Sequence, residues 1–140
     1  MSPDDLAARI AASFARQEFM ATLGAELVSV APGEVVIALP CRAALAQQQG
    51  SMHAGAVTSI ADSACGYAAL TTMPPDADVV SVEFKVNLLA PARGDRLVAT
   101  GRVVRAGRTL TVCTGEVRAG ATVVAIMQAT MMRVPGRSSA

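Results

Sequence analysis

Polar and apolar residues change their spacing several times along the chain, and each change predicts a different element. Ser2-Pro3-Asp4-Asp5 is typical of a helix start, because a hydroxyl caps the first turn, Pro fits it, and acids face the positive end of the helix dipole. Apolar residues at helical spacing follow at Leu6, Ile10, Phe14 and near Met20. The pattern predicts an amphipathic helix of about 15 residues within residues 1–20.

From Gly24 onward, short runs typical of strands replace the helical spacing. Residues 26–30 and 34–39 are two such runs, and the turn sequence Ala31-Pro32-Gly33 between them predicts a hairpin. Residues 55–72 predict a second helix that is apolar nearly all round, so we expect it to be buried. Its small side chains, which let a sheet approach closely, are Ala56, Ser59, Ala61, Ser63, Ala64, Cys65, Gly66, Ala68 and Ala69.

The clearest strand pattern follows Pro74-Pro75. Val80, Val82, Phe84, Val86 and Leu88 are expected on one face, and Ser81, Glu83, Lys85 and Asn87 on the other. Residues 97–105, 109–118 and 122–134 predict three more strands, whose short connections favour an antiparallel meander. The whole order predicts an α+β domain with an antiparallel sheet curled around the small-residue helix, and a loose tail over residues 135–140.

Composition narrows the classes of function. The 140 residues, 52% of them hydrophobic, suit a single domain over residues 1–140. A net charge of +1 gives no field that would hold a nucleic acid. The chain has no signal-peptide start, no apolar run of about 18 residues, and three scattered cysteines typical of reduced thiols. We therefore expect a cytoplasmic protein that binds neither nucleic acid nor a membrane.

Asp62 is the first candidate for chemistry. A carboxylate in the middle of an apolar helix is costly to bury unless it is paired or functional, and no Lys or Arg occurs in residues 51–82. The functional interpretation is a general base or a nucleophile. The alternative is an Asp that bonds to neighbouring backbone or points to solvent at a helix edge.

The turn His53-Ala54-Gly55 is the second candidate. It presents backbone amides at the positive end of a helix, which suits a thioester oxygen that gains charge during attack. Alternatively, His53 only caps the helix and Gly55 only permits a tight turn. Nine residues, or about 13.5 Å of helix, separate His53 from Asp62, so the two groups of one chain cannot act on one carbonyl. A shared site therefore requires two copies of the chain at a two-fold dimer interface.

Other chemistries fit the sequence poorly. One His and three scattered cysteines do not supply zinc spacing, and the glycines form no phosphate-cradling pattern or nucleophile elbow. Cys65 or Cys113 as a nucleophile is a remaining alternative, but apolar surroundings raise the pKa of a thiol. We expect no metal and no cofactor.

Gln47, Gly50, His53-Ala54-Gly55 and Asp62 together resemble the central motif of the PaaI-like acyl-CoA thioesterases, which have the hot-dog fold. The resemblance spans residues 19–134 and includes Ile60-Ala61-Asp62. It implies hydrolysis of an acyl-CoA thioester to a carboxylic acid and free CoA. Asp62 would then be base or nucleophile, the Ala54 N–H would polarise the carbonyl, and Gln47 would position the attacking water. Ala54 replaces a family Gly, which narrows the pocket by one methyl.

The same resemblance implies substrate contacts and a homodimer or a dimer of dimers. Ser81 occupies a position where the family often directs a hydroxyl into the site, although a solvent-facing Ser is the alternative. Arg93, Arg105 and Arg108 are candidates for holding the CoA phosphates, although exposed arginines are often only solvated. Two other functions stay open: a non-catalytic acyl-CoA-binding domain, and a hot-dog dehydratase or hydratase. The sequence does not specify the acyl group.

Overall fold

A computed structural model describes residues 1–137 as three α-helices and six β-strands. The helices are α1 (Pro3–Arg16), α2 (Glu18–Leu23) and α3 (Ala54–Leu70), and the strands are β1 (Glu26–Ala31), β2 (Glu34–Pro40), β3 (Ala77–Leu88), β4 (Arg96–Ala106), β5 (Leu110–Ala119) and β6 (Thr122–Pro135). All pairs in the sheet, of order β1-β2-β4-β5-β6-β3, are antiparallel. The long helix α3 packs on one face, so the predicted α+β architecture is confirmed.

The N-terminal helix begins as predicted but ends earlier. Ser2 Oγ accepts a hydrogen bond from the Asp5 N–H at 3.1 Å, and the Asp5 carboxylate accepts one from the Ser2 N–H, which forms a capping box. Gln17 adopts an extended conformation (φ −83°, ψ 91°) and ends α1. Met20, expected near the face of the same helix, is a buried residue of α2 instead. The predicted single helix within residues 1–20 is therefore two helices.

The buried helix α3 lies against the sheet at backbone distance. Ile60, Ala64 and Cys65 are fully buried, and a Cβ added at Gly101 on β4 would overlap the backbone carbonyl group of Ala64. Only a glycine on the strand and small residues on the helix permit this approach. The prediction that the small side chains of this helix let the sheet approach closely is thus confirmed. Among residues 1–137, no helix is both long and apolar enough to cross a bilayer.

Strand β3 differs from its predicted strict alternation at one residue. The pairing with β6 runs through Ser81 and Met131, then shifts at Val82, so that Glu83 is next in register with Thr130. Because of this β-bulge, Ser81 lies on the same sheet face as Phe84, the face that carries α3. The expectation that Ser81 and Phe84 lie on opposite faces of the sheet was wrong. A bulge depends on how the strands pair, so the spacing of apolar residues in the sequence does not reveal it.

The sheet ends in two different edges. Strand β1 is short and bulged between Leu27 and Ser29, whereas β3 has twelve residues and pairs only with β6 within the described chain. Strand β6 continues to Pro135, and the Gly136 N–H donates to the Asp76 carbonyl at 2.8 Å. The predicted tail therefore begins as ordered strand, while its residues 138–140 lie outside the described part of the chain.

Substitution of Gly101 by Ala should strongly destabilise the protein, because the new methyl would force α3 away from β4. We expect the free energy of unfolding to fall by about 3 kcal/mol, the upper end for overpacked cores. Chemical denaturation followed by circular dichroism measures the change. Gly66→Ala is the matched control, since its Cβ would lie 3.9 Å from Met131 Sδ in ordinary contact. Equal stability of the two variants would contradict the close approach.

Candidate functional site

A cavity of about 1200 Å³ opens beside the middle of α3. Its lining includes polar side chains from α3, β3 and the region of α1. Asp62 and Ser63 come from α3, Ser81 comes from β3, and Arg9 and Gln17 come from α1 and its C-terminal end. The predicted acid therefore lies in an accessible cavity and not in a sealed core.

Asp62 is held by a side-chain hydrogen bond. Ser81 Oγ donates to Asp62 Oδ1 at 2.6 Å, and the same Oγ lies 3.3 Å from Met131 Sδ. The carboxylate is half-buried, and within residues 1–137 no cationic side chain forms a salt bridge with it. Its partner is thus the hydroxyl of Ser81 on the neighbouring strand. The sequence had suggested either a functional acid or an Asp bonded to backbone or solvent, and neither interpretation named this partner. A carboxylate without a neutralising cation remains available to accept a proton or attack a carbonyl carbon.

The predicted turn at the start of α3 is tightly constrained. An isolated bridge pairs Ala46 with Met52, the Met52 N–H donates to the Ala92 carbonyl at 2.8 Å, and the His53 N–H donates to the Leu45 carbonyl at 2.8 Å. Gly50 has a φ of +94°, a conformation that side-chain-bearing residues rarely adopt. The segment between the 3₁₀ turn Ala43–Leu45 and α3 is therefore fixed before any ligand binds.

Within this turn, the backbone amides differ in availability. His53 Nδ1 accepts the Gly55 N–H at 2.8 Å, so His53 caps α3 and occupies the amide of Gly55. The Ala54 N–H donates to no acceptor among residues 1–137. Ala54 is the first residue of α3, where helical geometry leaves the N–H without an internal partner. Of the two candidate donors, the amide of Ala54 is the one that is free.

Gln47 lines a second cavity, of about 360 Å³, together with His53 and Ala54. Its Oε1 accepts a hydrogen bond from the Gln49 N–H. The side-chain NH₂ group of Gln47 is left as a donor for a ligand. Leu88 and Arg93 also line this cavity. The predicted residues of the turn are therefore brought together around one cavity, which Gln47 and Ala54 both line.

The two groups of candidate residues do not meet within one chain. Asp62 and Ser81 line the first cavity, while Gln47, His53 and Ala54 line the second, with no residue common to both. The first cavity lies at the Ser81 end of β3, and the second at the Leu88 end. This separation agrees with the helix-length estimate from the sequence.

Comparison with known proteins now identifies the family. A family model described as the thioesterase superfamily matches residues 49–126, which include both the turn and Asp62. The chain belongs to the thioesterase superfamily.

Three relatives illustrate this membership. The crystal structure of a thioesterase family protein from Silicibacter pomeroyi has 47% identity and a TM-score of 0.88, over 91% of this chain and 97% of that one. The 1,4-dihydroxy-2-naphthoyl-CoA hydrolase of Listeria monocytogenes is 30% identical over 63% of this chain and 72% of its own. The E. coli PaaI protein from the phenylacetic acid degradation operon has 24% identity and a TM-score of 0.84, over 94% and 97% of the two chains, which shows a shared fold. The predicted hot-dog thioesterase family is confirmed.

The three arginines suggested by the family lie apart in this thioesterase-superfamily chain. Arg93 lines the turn cavity and donates to the Gln49 carbonyl at 3.1 Å. Arg105 pairs with Val112, next to the buried Thr111, which puts Arg105 on the sheet face away from α3. Arg108 lies in the turn between β4 and β5. Neither Arg105 nor Arg108 lines either cavity of its own chain.

Sequence reasoning missed the part of this site that α1 contributes. The Gln17 side chain donates to Tyr67 Oη at 3.0 Å and accepts from Ser63 Oγ at 3.1 Å, and Arg9 binds the chain beyond the end of α3. These contacts join residues about 50 positions apart in the chain. The only local signal was the position of Gln17 near the end of the amphipathic pattern.

The three cysteines have surroundings that oppose thiol chemistry. Burial raises the pKa of Cys65 to about 12 and that of Cys113 to about 11. Burial and the nearby Asp95 also raise the pKa of the half-buried Cys41. Since the thiolate is the nucleophile, a raised pKa leaves these residues protonated and inert at neutral pH.

Iodoacetamide at pH 8 should alkylate Cys41 slowly and leave Cys65 and Cys113 unmodified in the folded protein. All three should react once denaturant exposes them. Because both thiols are fully buried and their raised pKa keeps them protonated, their labelling should stay slow for as long as the protein is folded. Mass spectrometry of the digested protein measures the modification. Rapid labelling of Cys65 in the native protein at pH 8 would contradict this assignment.

Proposed function

We propose that this chain is an acyl-CoA thioesterase whose active site combines Asp62 of one copy with the His53–Ala54 turn of another. The observation that carries the proposal is that the cavity with Asp62 and the cavity with the turn lie at opposite ends of one strand. A free helix-terminal amide and an uncompensated carboxylate are the two groups that thioester hydrolysis needs, and β3 connects them.

The geometry of β3 favours this assembly. Ser81, at the Asp62 cavity, and Leu88, at the turn cavity, are separated by about 23 Å of strand. If two β3 strands pair antiparallel about a two-fold axis near Phe84 and Lys85, Ser81 of one copy comes opposite Leu88 of the other. Each acid cavity then adjoins the turn cavity of the partner. The dimer would thus contain two equivalent composite sites.

The exposed side of β3 supports such pairing. Strand β3 leaves a row of backbone donors and acceptors unpaired along its outer edge within the described chain, a template for another strand. The strand also exposes large apolar side chains, namely Val80, Val82, Phe84 and Leu88, each more than 40% accessible. Removing this apolar surface from water would stabilise the dimer.

The proposed reaction uses these groups in one sequence. Asp62, oriented by Ser81, takes a proton from a water molecule held near Gln47, and the water oxygen attacks the thioester carbonyl carbon. The carbonyl oxygen becomes an oxyanion that accepts the Ala54 N–H, with the positive end of α3 adding to its stability. Collapse of the intermediate breaks the C–S bond, and Asp62 returns its proton to the leaving sulfur, which releases the carboxylic acid and CoA. Direct attack by Asp62, followed by hydrolysis of the anhydride, would give the same products.

The arginines support a CoA ester as the substrate in this dimer. Arg93 lies beside the turn cavity, where the thioester would bind. The β4–β5 turn with Arg108 lies at the Ser81 end of the sheet, because Thr111, Met131 and Ser81 are neighbours across β5, β6 and β3. In the proposed dimer, this turn and the Arg93 of the other copy approach the same site. Their guanidinium groups would bind the phosphates.

Asp62→Asn should lower kcat at least about a hundredfold while the protein remains folded, because the amide cannot take the proton. The assay is CoA release, followed with a disulfide reagent, on acetyl-, hexanoyl-, decanoyl-, benzoyl- and phenylacetyl-CoA. Glu116→Gln, the same change of charge on the opposite sheet face, should keep wild-type turnover. Unchanged turnover in Asp62→Asn would refute the role of Asp62. Binding of the esters without any turnover by the wild type would favour a non-catalytic acyl-CoA-binding domain.

A shared site also predicts complementation between two inactive variants. Ala54→Pro removes the proposed donor, and proline is tolerated at the first position of a helix; the extended His53 before it (φ −59°, ψ 142°) suits a following proline. Refolding Ala54→Pro together with Asp62→Ala should restore about a quarter of wild-type kcat, since half of the dimers regain one of two sites. Ala54→Gly, which keeps the N–H, is the control and should stay active. A mixture no more active than its parts would refute the shared site.

A further inference from the structure

Arg9 of α1 binds the chain within the α3–β3 connection, residues 71–76, and at both of its ends. Arg9 Nη1 donates to the carbonyls of Leu70 at 3.2 Å and Met73 at 2.9 Å, and Nη2 donates to those of Pro74 at 2.6 Å and Ala77 at 3.1 Å. The two terminal nitrogens carry four N–H groups, so all four are used. No other side chain in residues 1–137 makes this many hydrogen bonds to backbone.

The local sequence explains why an arginine is needed. Pro74 and Pro75 contribute carbonyl acceptors but no N–H donors. The carbonyls of Leu70 and Pro74 each accept one backbone N–H, from Met73 and Ala77, so each keeps a second lone pair for another donor. A guanidinium at the C-terminal end of α3 satisfies these acceptors and opposes the negative end of the helix dipole. Partial burial lowers the pKa of Arg9, while Asp78 and Asp76 act in the opposite direction. The group nonetheless stays cationic at neutral pH.

The four carbonyls lie between the two residues whose contact the proposed reaction needs. Asp62 precedes Leu70 by two turns of α3, and Ser81 follows Ala77 by four residues of β3. Within the described chain, the first half of β3 is paired on one side only, with the last residues of β6, and it ends at the bulge at Val82. Such a segment opens easily unless another contact restrains it.

We propose that Arg9 is a positioning residue, which keeps Ser81 in hydrogen-bond contact with Asp62 by fixing the α3–β3 connection. The proposal rests on the proposed function for its effect on activity. Arg9 acts through Ser81, so its contribution should disappear when the Ser81 hydroxyl is absent. A residue that only adds stability would not show this dependence.

The test is a double-mutant cycle between Arg9→Met and Ser81→Ala. Arg9→Met keeps an apolar stem of similar length and removes the donors. It should lower kcat about tenfold, with KM changed less than about twofold, because a small misplacement of a catalytic group costs rate more than binding. In the Ser81→Ala background, the same change should lower kcat less than about twofold. Effects that multiply in the double variant would overturn the proposal.

Two further variants separate positioning from folding. Ile10→Val weakens the packing of the same helix, since Ile10 is fully buried, but touches none of the four carbonyls, so kcat should be unchanged. Arg9→Lys keeps the charge but offers three donors to four acceptors, so its kcat should fall between wild type and Arg9→Met. A loss of kcat in Ile10→Val equal to that in Arg9→Met would assign the effect to helix docking and overturn the proposal.

Hydrogen exchange provides a readout that does not depend on activity. In Arg9→Met, amides of residues 77–83 should exchange faster than in the wild type, while those of β4 should not change. Unchanged exchange in residues 77–83 would refute the positioning role even if kcat falls. Failure of the proposed function has a different signature, because Asp62→Asn would then retain turnover while the exchange result still decides the role of Arg9.

Discussion

The contact between the backbones of α3 and β4 at Gly101 determines where the functional groups of this chain lie. It brings the helix so close to the sheet that side chains on its flanks reach neighbouring strands directly. Asp62 can therefore accept a hydrogen bond from Ser81 at 2.6 Å without a long side chain or a bridging residue. A bulkier residue at this contact would move the acid and the N-terminal turn together, because both are attached to one rigid helix. It would also change the cavity between α1 and α3, since α3 forms one of its walls.

Strand β3 gives the middle and the start of this helix different chemical surroundings. Near its beginning, the bulge at Val82 turns Ser81 towards α3 and the acid. Near its end, Leu88 lines the cavity of the helix-terminal amide. The same strand is also the long, exposed edge of the sheet. One element thus orients the acid, borders the amide and offers the surface along which a second copy would bring the two together.

Features that depend on neighbouring residues in the chain were predictable from the sequence. The capping role of Ser2, the buried helix of small residues and the distance between His53 and Asp62 follow from local propensity and helix geometry. The break at Gln17, the bulge at Val82 and the hydrogen bonds of Arg9 were not predictable, because each depends on residues far away in the chain. Arg105 illustrates the same limit: the bulge next to it, between Val103 and Arg105, decides which sheet face it occupies. The local sequence pattern thus identified the candidate acid and the candidate turn. Contacts between distant parts of the chain determined which other side chains lie next to them.

The twelve-residue edge strand has a consequence for the protein in the cell. In the proposed dimer, a chain without a partner has no complete site, so mass action makes the active fraction depend on protein concentration. An unassembled chain also presents an apolar strand edge to any other extended chain, a known route to aggregation. The expression level and the degradation rate of the unpaired chain would therefore affect total activity as directly as the catalytic constants do.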